Sequence, residues 1–589
     1  MVQKYPSNQE LAQTFNNVAA VYEIMGESFF KIRAYKNAAD AIEQSNEEIK
    51  DVWEKGALQK VPGIGASIAQ HIDDIFKTGT SQHVEKVLEQ VPLTIFKLLE
   101  LPGVGPKTAG RLAYELNLIN PKSLFDDLKK AADNNQIANL EGFGQKSQAE
   151  IIESIARFKK ANKQEKRILQ TDAQALADRF IEYMKDCSVL SEIQALGSLR
   201  RQKATVGDLD FASVTDEPKI VIKHFIVWPE VQKILAAGEN TARVIHISGV
   251  QIDIKTTTRN KYGSMLQHFS GSKEHNVALR EYAQKIGLSL SEKGVKHLRD
   301  GKTSMYKTEK DFYNALGMDY IPPEMRENRG EIELALKHKL PNLVALEDIQ
   351  GDLHIHSDFP IEPSHDLGKD SMASIVKKAE ELGYKYIAFS EHNPKKVLSN
   401  QEKFELIVDK KAAIDKLNTN IVVLNSLEVD ILPDGTLPLD NKTLAELDLA
   451  IVSLHSSFRQ NKEDMTNRIL RGLSHPKAKV MGHPTARLIQ QREGVDADWR
   501  RIFRFCAENN KALEINASGE RLDLPEDLVR EAKEYGVMFV LGTDAHATIG
   551  LMKMPAAVSV ARRAWLESKD IINTWPVDKF KKWVYDGKR

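Results

Sequence analysis

The stretch Gly207-Asp-Leu-Asp-Phe211 alternates polar and apolar side chains, and this alternation sets the fold of the middle of the chain. In a β-strand successive side chains point to opposite faces, so Asp208 and Asp210 would share one face and the apolar residues the other. The stretch Val250-Gln-Ile-Asp-Ile-Lys255 alternates too, with Asp253 between two isoleucines. The pattern therefore predicts two strands that carry carboxylates.

These strand aspartates need an explanation, because aspartate is depleted in β-strands. Three carboxylates on adjacent strands, from Asp208, Asp210 and Asp253, would suit two Mg²⁺ ions that support an in-line phosphoryl displacement. The alternative is an ordinary edge hairpin whose polar face is solvated. The residues around the two strands favour the metal site.

A phosphate-binding turn is predicted just before the first of these strands, at Leu196-Gly-Ser-Leu-Arg-Arg201. Gly197 and Ser198 can present backbone and hydroxyl donors to a phosphate. Either of the two arginines, Arg200 or Arg201, can clamp a triphosphate. A Gly-Ser pair alone is weak evidence. Its order with the Asp-x-Asp pair and the third strand aspartate is specific, and it resembles the nucleotidyltransferases of DNA polymerase family X.

The segment His268-Phe-Ser-Gly-Ser-Lys-Glu-His-Asn276 is similar to that family's aromatic–Thr–Gly motif and the helix after it. In the family this turn packs against the sugar of the incoming nucleotide, and the helix follows the nascent base pair from the minor-groove side. This chain has His-Phe where vertebrate relatives have two aromatics, and serine for threonine, which leaves ribose discrimination open. The resemblance assigns these residues to the nucleotide: Gly197, Ser198, Arg201, Gly207, Phe269, Gly271, Lys273, Asn276 and Arg280.

From Gly351 onward, short apolar runs that end in polar clusters alternate with helical stretches. Such alternation is typical of parallel sheets, and here it predicts a sheet closed into a barrel. Active sites of such barrels lie at the carboxyl ends of the strands, where this half of the chain carries its His, Asp and Glu residues. Strands are predicted at Tyr386–Ser390, Ile421–Leu424, Leu449–Leu454, Ala512–Ile515 and Val537–Gly542.

The barrel half carries a set of potential metal ligands that begins with Asp352-Leu-His-Ile-His356. On a strand, His354 and His356 would face the same way. A lone histidine is more often a surface or core residue than a ligand, but here polar residues repeatedly follow apolar runs. The mixture of imidazoles and carboxylates suits Mn, Zn or Fe better than Mg alone. The predicted ligands are His354, His356, His392, Glu428, His455, His483, Asp544 and His546.

This ligand set resembles the polymerase and histidinol phosphatase (PHP) domain, a distorted barrel whose trinuclear metal site hydrolyses phosphoesters. The family has an aspartate shortly after the first histidine pair; Asp366 fits that position best, with His365 and Asp358 as alternatives. Glu391 stands where the family has an aspartate, and we interpret it as a residue outside the direct ligand set. The resemblance implies an active site with three metal ions, Mn²⁺ or Zn²⁺.

Roughly the first 160 residues read as helices joined by short glycine-containing turns. One motif occurs three times, at Val61-Pro-Gly-Ile-Gly65, Leu101-Pro-Gly-Val-Gly105 and Leu140-Glu-Gly-Phe-Gly144. Backbone N–H groups left free at the helix N-terminus after such a turn suit a DNA phosphate. A single copy is equally compatible with a helix-packing corner, but three copies favour DNA binding.

The repeated motif resembles the helix-hairpin-helix of DNA repair proteins. This resemblance implies backbone contacts to DNA at Gly63, Gly65, Gly103 and Gly105; the third copy is the weakest because it has glutamate in place of proline. Lys31 is similar to a phosphate contact of family X polymerases.

Many family X enzymes have a lyase lysine in this helical region, which forms a Schiff base with a 5′-deoxyribose phosphate. His71 occupies the matching position here, and Ser67 replaces a phosphate-binding lysine of the family. Imidazole does not form the stable imine that an amine gives with an aldehyde. We therefore expect weak or no lyase activity.

Composition limits the remaining classes of protein. The chain of 589 residues is long enough for about four domains. Its 82 basic and 83 acidic residues nearly cancel, so DNA binding would depend on local patches and backbone donors. Cys187 and Cys506 are its only cysteines, which excludes a disulfide scaffold and indicates a reducing compartment. With a polar N-terminus and no apolar run long enough to span a bilayer, we expect a cytoplasmic protein without membrane partners or an obligate protein partner.

The resemblance covers nearly the whole chain, which is identified as a member of the bacterial family X DNA polymerases with a C-terminal PHP domain. It implies a multidomain α and α/β protein that binds dNTPs and gapped or primer–template DNA, fills short gaps in DNA repair with Mg²⁺, and degrades DNA 3′ ends. Cleavage at abasic sites stays open. The predicted divisions are 1–90 (helical, first hairpin), 91–170 (helical, further hairpins), 171–258 (palm), 259–317 (small nucleotide-selecting α/β lobe), 318–350 (linker) and 351–589 (PHP barrel).

Two other functions stay open. One is a phosphoesterase that is tethered to DNA and has weak or absent polymerase activity; the three strand aspartates argue against it. The other is a non-catalytic DNA-binding scaffold, which the two full sets of candidate ligands disfavour.

Overall fold

The computed structural model describes residues 6, 8–43, 45, 49–54, 56–101, 103–121, 123–162, 167–395 and 397–585. Most of the polar N-terminal stretch and Pro102 of the second glycine motif lie outside these ranges. The chain divides into two compact units, one of residues 1–164 and 456–458 and one of residues 165–455 and 459–589. Within the described ranges, no helix combines the length and the apolar character needed to cross a membrane.

The first unit consists of helices whose apolar faces meet in one core. Phe15, Tyr35 and Ile72 are among the side chains buried there. The helices are α1 (Asn8–Ile24), α2 (Phe29–Glu43), α3 (Ile49–Glu54), α4 (Ala66–Thr78), α5 (Gln82–Leu88), α6 (Leu93–Leu98), α7 (Pro106–Glu115), α8 (Leu124–Asp133) and α9 (Gln145–Asn162).

Each of the three glycine motifs ends where a helix begins, as predicted from the sequence. Helices α4, α7 and α9 start directly after Gly65, Gly105 and Gly144. At Gly63 the backbone has φ of 101°, and a Cβ there would come within 2.9 Å of the Ala41 Cβ. Only glycine fits such a turn without strain.

The second unit begins with a five-stranded sheet, which we call the palm sheet. Its strand order is β2-β4-β7-β6-β5; β4 and β7 are parallel and the other pairs antiparallel. A separate pair, β1 and β3, leads into it. The elements are β1 (Ile168–Leu169), α10 (Gln170–Lys185), β2 (Glu192–Ala195), α11 (Gly197–Arg200), β3 (Thr205–Val206), β4 (Asp208–Val214), α12 (Pro218–Ile226), β5 (Val231–Ala237), β6 (Thr241–His246) and β7 (Gln251–Thr257).

A small α/β lobe follows, and a segment with little regular structure connects it to the barrel. The buried pair of His275 and Glu331, with 2.6 Å between Nδ1 and Oε1, ties this segment to the lobe. The elements are α13 (Tyr262–Ser270), α14 (Lys273–Lys285), β8 (Leu288–Ser291), β9 (Gly294–His297), β10 (Thr303–Ser304), α15 (Glu309–Asn314) and α16 (Glu331–Leu336).

The C-terminal part is a seven-stranded parallel sheet whose strands follow chain order. The sheet is nearly closed, because Ile355 at the end of its first strand forms a parallel bridge with Ala545, which follows its last strand. This confirms the predicted barrel and adds two strands, β11 and β15, to the five predicted. The elements are β11 (Gly351–Ile355), α17 (Met372–Glu381), β12 (Tyr386–His392), α18 (Asn400–Asp415), β13 (Val422–Asp430), α19 (Asn441–Ala445), β14 (Leu449–Ser453), α20 (Lys462–Leu473), β15 (Ala478–Met481), α21 (Trp499–Glu508), β16 (Ala512–Asn516), α22 (Glu526–Glu534), β17 (Met538–Gly542), α23 (Met554–Arg563) and α24 (Val577–Tyr585).

Candidate active sites

The three strand aspartates lie together on one face of the palm sheet. β4 and β7 pair in parallel so that Asp210 is level with Asp253 and Asp208 is level with Gln251. The apolar residues that alternate with them are fully buried on the opposite face. The backbone register therefore places three carboxylates on one face of two neighbouring interior strands, as the alternation predicted.

Two basic side chains accompany these carboxylates. The Arg243 Nε donates to both carboxylate oxygens of Asp253, at 2.8 and 3.0 Å, and this hydrogen bond raises the pKa of Arg243. The Lys255 Nζ lies 2.8 Å from the Asp210 Oδ1. The predicted phosphate turn is adjacent, because a Cβ on Gly197 would be 3.3 Å from the Asp210 Oδ2.

The predicted nucleotide residues of the small lobe begin beside these carboxylates. The Phe269 ring centroid is 4.8 Å from the Lys255 Nζ. The side-chain amide of Asn276 donates to the His268 carbonyl at 2.7 Å, and the Arg280 Nε donates to the Asn276 carbonyl at 3.1 Å. The first bond connects Asn276, in the first turn of α14, to the end of α13 that carries Phe269, and the second holds Arg280 one turn further along α14.

Both arginines of the phosphate turn are held by carboxylates. The Arg200 NH1 lies 3.0 Å from the Glu309 Oε1, and its NH2 also pairs with Glu309. The Arg201 Nε donates to the Glu327 Oε1 at 3.0 Å, while its NH1 donates to the Ser270 carbonyl. Arg201 therefore links the phosphate turn to the turn of the small lobe.

The predicted barrel ligands converge at the carboxyl ends of the strands. Four overlapping groups of side chains each have ligand atoms within 4.8 Å of one another. His483 stands outside these groups but its Nε2 lies 2.7 Å from the Glu428 Oε1. The groups are His356/His392/His546, His354/His356/Glu428/Asp544, His365/Asp430/His455 and His392/Glu428/His455.

This cluster has the chemistry that a metal site requires. At least one buried ring nitrogen of each of five histidines has no hydrogen-bond partner among the described residues: His354, His356, His392, His483 and His546. Burial lowers the pKa of His392 well below its usual value, which keeps the imidazole neutral and its lone pair free for a cation. Burial alone would raise the pKa of Asp544, but His354 and His356 hold it well below its usual value. The donor set therefore fits metal ions.

The structure brings His365, not Asp366, to the cluster. The His365 Nε2 and the His455 Nδ1 lie 3.1 and 2.7 Å from the same Asp430 oxygen. Burial alone would raise the pKa of Asp430, but these two histidines hold it far below its usual value. Asp366 and Asp358 are exposed and belong to none of the groups found among the described residues. The side chain after the first histidine pair that fits the site is thus an imidazole.

Sequence reasoning missed Glu514, which is fully buried in β16. Its Oε1 lies 2.6 Å from the His354 Nδ1, and its Oε2 accepts the backbone N–H of His483 at 2.5 Å. A carboxylate behind a ligating histidine fixes the tautomer and the orientation of the ring. A glutamate inside the apolar run Ala512–Ile515 was the available signal.

Glu391 points away from the ligand groups. Its Oε1 accepts the Ser357 hydroxyl at 2.6 Å, and its other oxygen pairs with the buried Lys410. This geometry agrees with the interpretation of Glu391 as a residue outside the direct ligand set.

In the helical unit, His71, at the position of the family's lyase lysine, belongs to an aromatic cluster with His83 and Tyr22. His71 and His83 stack with their ring centroids 4.7 Å apart, and the His83 Nε2 lies 2.9 Å from the Tyr22 hydroxyl. The Lys31 Nζ pairs with Glu27 at 3.0 Å and sits 4.1 Å above the Tyr22 ring.

Family models match several parts of this chain, from the helical unit at its start to the barrel. A helix-hairpin-helix domain matches residues 6–81, and a SAM-like helix-hairpin-helix tandem matches residues 55–118 and 97–157. A DNA polymerase beta thumb matches residues 265–327, and a PHP domain matches residues 352–518.

Among curated proteins, the DNA polymerase/3'-5' exonuclease PolX of Bacillus subtilis is 32% identical over 573 residues, which is 96% of this chain and 97% of that one. Rat DNA polymerase lambda is 23% identical over 352 residues, 54% of this chain and 56% of that one. A probable phosphatase of a Thermoanaerobacter species is 25% identical over 248 residues, 40% of this chain and 95% of that one. Because the similarity to PolX spans both chains almost end to end and includes the hairpin, thumb and PHP parts, the chain belongs to the PolX family of family X DNA polymerases with a C-terminal PHP domain.

Proposed function

We propose that the palm sheet fills short gaps in DNA during repair and that the barrel removes nucleotides from DNA 3′ ends. The observation that carries the first activity is the register of β4 and β7, which holds Asp208, Asp210 and Asp253 on one face of the sheet beside Gly197. The observation that carries the second is the set of buried imidazoles at the strand ends of the barrel, each with a ring nitrogen that has no hydrogen-bond partner among the described residues.

In the palm, Asp208 and Asp210 would hold two Mg²⁺ ions, and Asp253 would hold the one nearer the primer. Bound Mg²⁺ activates the primer 3′-hydroxyl and offsets charge on the triphosphate. The backbone and hydroxyl donors of Gly197 and Ser198, together with the Arg201 guanidinium, would bind the β- and γ-phosphates and retain the pyrophosphate as the 3′-hydroxyl attacks the α-phosphate.

The small lobe positions the incoming nucleotide. Phe269 and Gly271 would pack against its sugar, with Lys273 and Gly207 close to it. Asn276 and Arg280 would contact the new base pair and the template from the minor groove. The bond from Asn276 to the His268 carbonyl ties α14 to the end of α13 that carries Phe269, and the bond from Arg280 to the Asn276 carbonyl holds Arg280 one turn further along α14.

In the barrel, three metal ions, Mn²⁺ or Zn²⁺, would be shared among the overlapping ligand groups. Metal ions bound there polarise a phosphodiester and lower the pKa of water. His354, His356, Glu428 and Asp544 form one group, and His365, Asp430 and His455 form another. His392 groups with members of both, His546 groups with His356 and His392, and His483 contacts Glu428. Glu514 orients His354 and fixes its tautomer.

The helical unit would hold the DNA. The backbone N–H groups after Gly63, Gly65, Gly103 and Gly105 suit phosphates irrespective of sequence. Lys31 adds a cation on the same unit. Contacts of this kind suit a repair enzyme, because gaps arise in any sequence.

A gapped duplex with a 5′-labelled primer tests the proposal. With dNTPs and Mg²⁺ we expect extension, and with Mn²⁺ and no dNTPs we expect shortening of the primer from its 3′ end. The likeness of the barrel alone to probable phosphatases favours one second candidate, a tethered phosphoesterase. That function would give digestion without extension, and a scaffold would give binding only.

A further inference from the structure

A buried arginine of the barrel reaches the phosphate turn of the palm. Arg563 is the last residue of α23, and its side chain is 1% exposed. It pairs through Nε and NH2 with Glu526, with 2.7 Å between NH2 and Oε1. Its NH1 donates to the backbone carbonyl of Arg201. The barrel thus contacts the backbone of the turn that would bind the triphosphate.

Glu327 connects the same two arginines through their side chains. Its Oε1 accepts from the Arg201 Nε at 3.0 Å and from both terminal nitrogens of Arg563 at 3.2 Å. The Lys203 Nζ is 3.6 Å from Glu327 and 3.6 Å from Glu526. Burial alone would raise the pKa of Glu526, but the hydrogen bond and charge of Arg563 hold it at about 2. The Glu526 carboxylate is therefore ionised, and Arg563 is an ion-pair partner that Glu526 and Glu327 share.

Arg201 also contacts the small lobe, which forms the other side of the nucleotide site. Its NH1 donates to the Ser270 carbonyl. A Cβ on Gly271 would lie 2.9 Å from the same nitrogen, so the small-lobe turn packs tightly on the guanidinium. A change in the position of Arg201 would move both the phosphate turn and the Gly271 turn that follows Phe269.

We propose that Arg563 of the PHP barrel is a positioning residue for polymerisation, which holds Arg201, through Glu327 and the Arg201 carbonyl, in the geometry that binds the incoming dNTP. This inference rests on the proposed role of Arg201 at the triphosphate. It assigns the barrel a second task, distinct from its own metal chemistry, in the affinity of the palm for nucleotide.

The expected signature is specific to binding. Without Arg563, Glu327 and Glu526 lose the cation that they share. A carboxylate inside a protein that loses one ion-pair partner pairs more closely with the cations that remain. Glu526 then keeps Lys203 and Arg329 as partners, and Glu327 keeps Lys203 and Arg201. Because the Arg201 carbonyl also loses its donor, we expect Arg201 to shift from its present position. The palm aspartates and the barrel ligands lie outside this network. The KM for dNTP should therefore rise while kcat and 3′-end degradation stay near the parent values.

The test uses the full-length chain on a one-nucleotide gapped duplex with the templated dNTP. Arg563→Met and Glu327→Gln are compared with the parent, with the double variant, and with Arg201→Met as the reference for the triphosphate role. Arg500→Met is the matched control, because Arg500 also pairs with a glutamate of α22, Glu531, but is 73% exposed. Degradation of single-stranded 3′ ends and the thermal unfolding midpoint are measured for each variant.

We expect KM for dNTP to rise about 10-fold in Arg563→Met and in Glu327→Gln, with kcat within about 2-fold of the parent. The KM for dNTP of the double variant should be no higher than that of the single variant with the higher KM, because both changes break the same linkage between Arg563 and Arg201. A normal KM in Arg563→Met beside a raised KM in Arg201→Met overturns the inference. A normal KM in Arg201→Met refutes the triphosphate role itself. If Arg563→Met fails to fold, the KM for dNTP of Glu327→Gln decides between the two outcomes. This variant keeps the pair of Arg563 and Glu526.

Discussion

Asp210 and Asp253 lie level with each other on two parallel strands, β4 and β7. The strands pair without interruption, from Asp208 opposite Gln251 to Val214 opposite Thr257. Their separation is set by backbone hydrogen bonds rather than by a loop. Arg243 and Lys255 each pair with one of the two carboxylates. An arrangement fixed in this way cannot easily recruit a substitute carboxylate, which makes single substitutions informative.

Replacing Asp208 or Asp253 by alanine should abolish nucleotide incorporation and leave nuclease activity largely intact. Each loss removes charge that the metal ions need in the transition state, and we expect a decrease on the order of 10³-fold or more. Single-turnover extension of a gapped duplex measures it. Asp216→Ala, an exposed aspartate just beyond β4, is the control; incorporation near the parent rate in either active-site variant would contradict the assignment.

Replacing His354, His356 or His483 by alanine should abolish 3′–5′ degradation and lower the metal content of the full-length protein, while polymerisation is retained. Neutral imidazoles are the proposed ligands, and the strands β11 and β15 that position them are remote in sequence from the palm. Nuclease assays and elemental analysis check this together. His475→Ala, which changes a histidine before β15 at the opposite end of that strand, should keep both activities. A metal-free protein with full nuclease activity would refute the ligand set.

The position of the early ligand can be tested by a pair of neighbouring substitutions. His365→Ala should reduce nuclease activity and metal content, because His365 shares the Asp430 oxygen with His455. Asp366→Ala should change neither, because that side chain is exposed. The opposite ranking of the two variants would restore Asp366 to the ligand set.

Periodicity and motif order predicted most of the fold. The alternation around Asp208 and Asp253 predicted their strands, since a buried apolar face and a polar face leave one register. The five apolar runs of the barrel half correspond to observed strands because buried parallel strands read as continuous apolar segments. The exposed strand Val231–Ala237 was not predicted. Such an edge strand lacks a buried face, so its sequence carries little periodic signal.

The site was less accessible to sequence reasoning than the fold. Residues on strand ends could be predicted, because a parallel barrel brings those ends together. His365 could not be separated from Asp366, since both lie in an irregular segment between β11 and α17 where neither period applies. The role of Arg563 depends on a contact with Arg201 across 362 positions of sequence, for which no local pattern exists.

Glu514→Gln tests the support behind the barrel ligands. The substitution keeps shape but removes the charge that lies 2.6 Å from the His354 Nδ1. We expect metal affinity to fall by about 10- to 100-fold, the usual cost of losing such a partner. Metal titration followed by nuclease assay measures it. Glu508→Gln, on the exposed end of α21, should behave like the parent; unchanged metal affinity in Glu514→Gln would limit Glu514 to a packing role.

The groups found against His71 among the described residues are rings and hydroxyls rather than amines. That imidazole is enclosed by His83 and by the hydroxyls of Ser67 and Ser81, 3.5 and 3.3 Å away. Burial and the neighbouring His83 lower the pKa of His71. Lys31 is paired with Glu27, and Lys77 with Asp73 at 2.8 Å.

We therefore expect weak or no 5′-deoxyribose phosphate lyase activity. A stable imine with the aldehyde of an incised abasic site needs a neutral amine, and neither a histidine nor a serine supplies one. Borohydride trapping on an incised abasic duplex measures the imine as a covalent adduct. The control is His71→Lys, which places an amine at that position and should gain an adduct that the parent lacks. An efficient adduct in the parent protein, mapped to Lys31, Lys60 or Lys77, would show that another amine of this unit serves as the nucleophile.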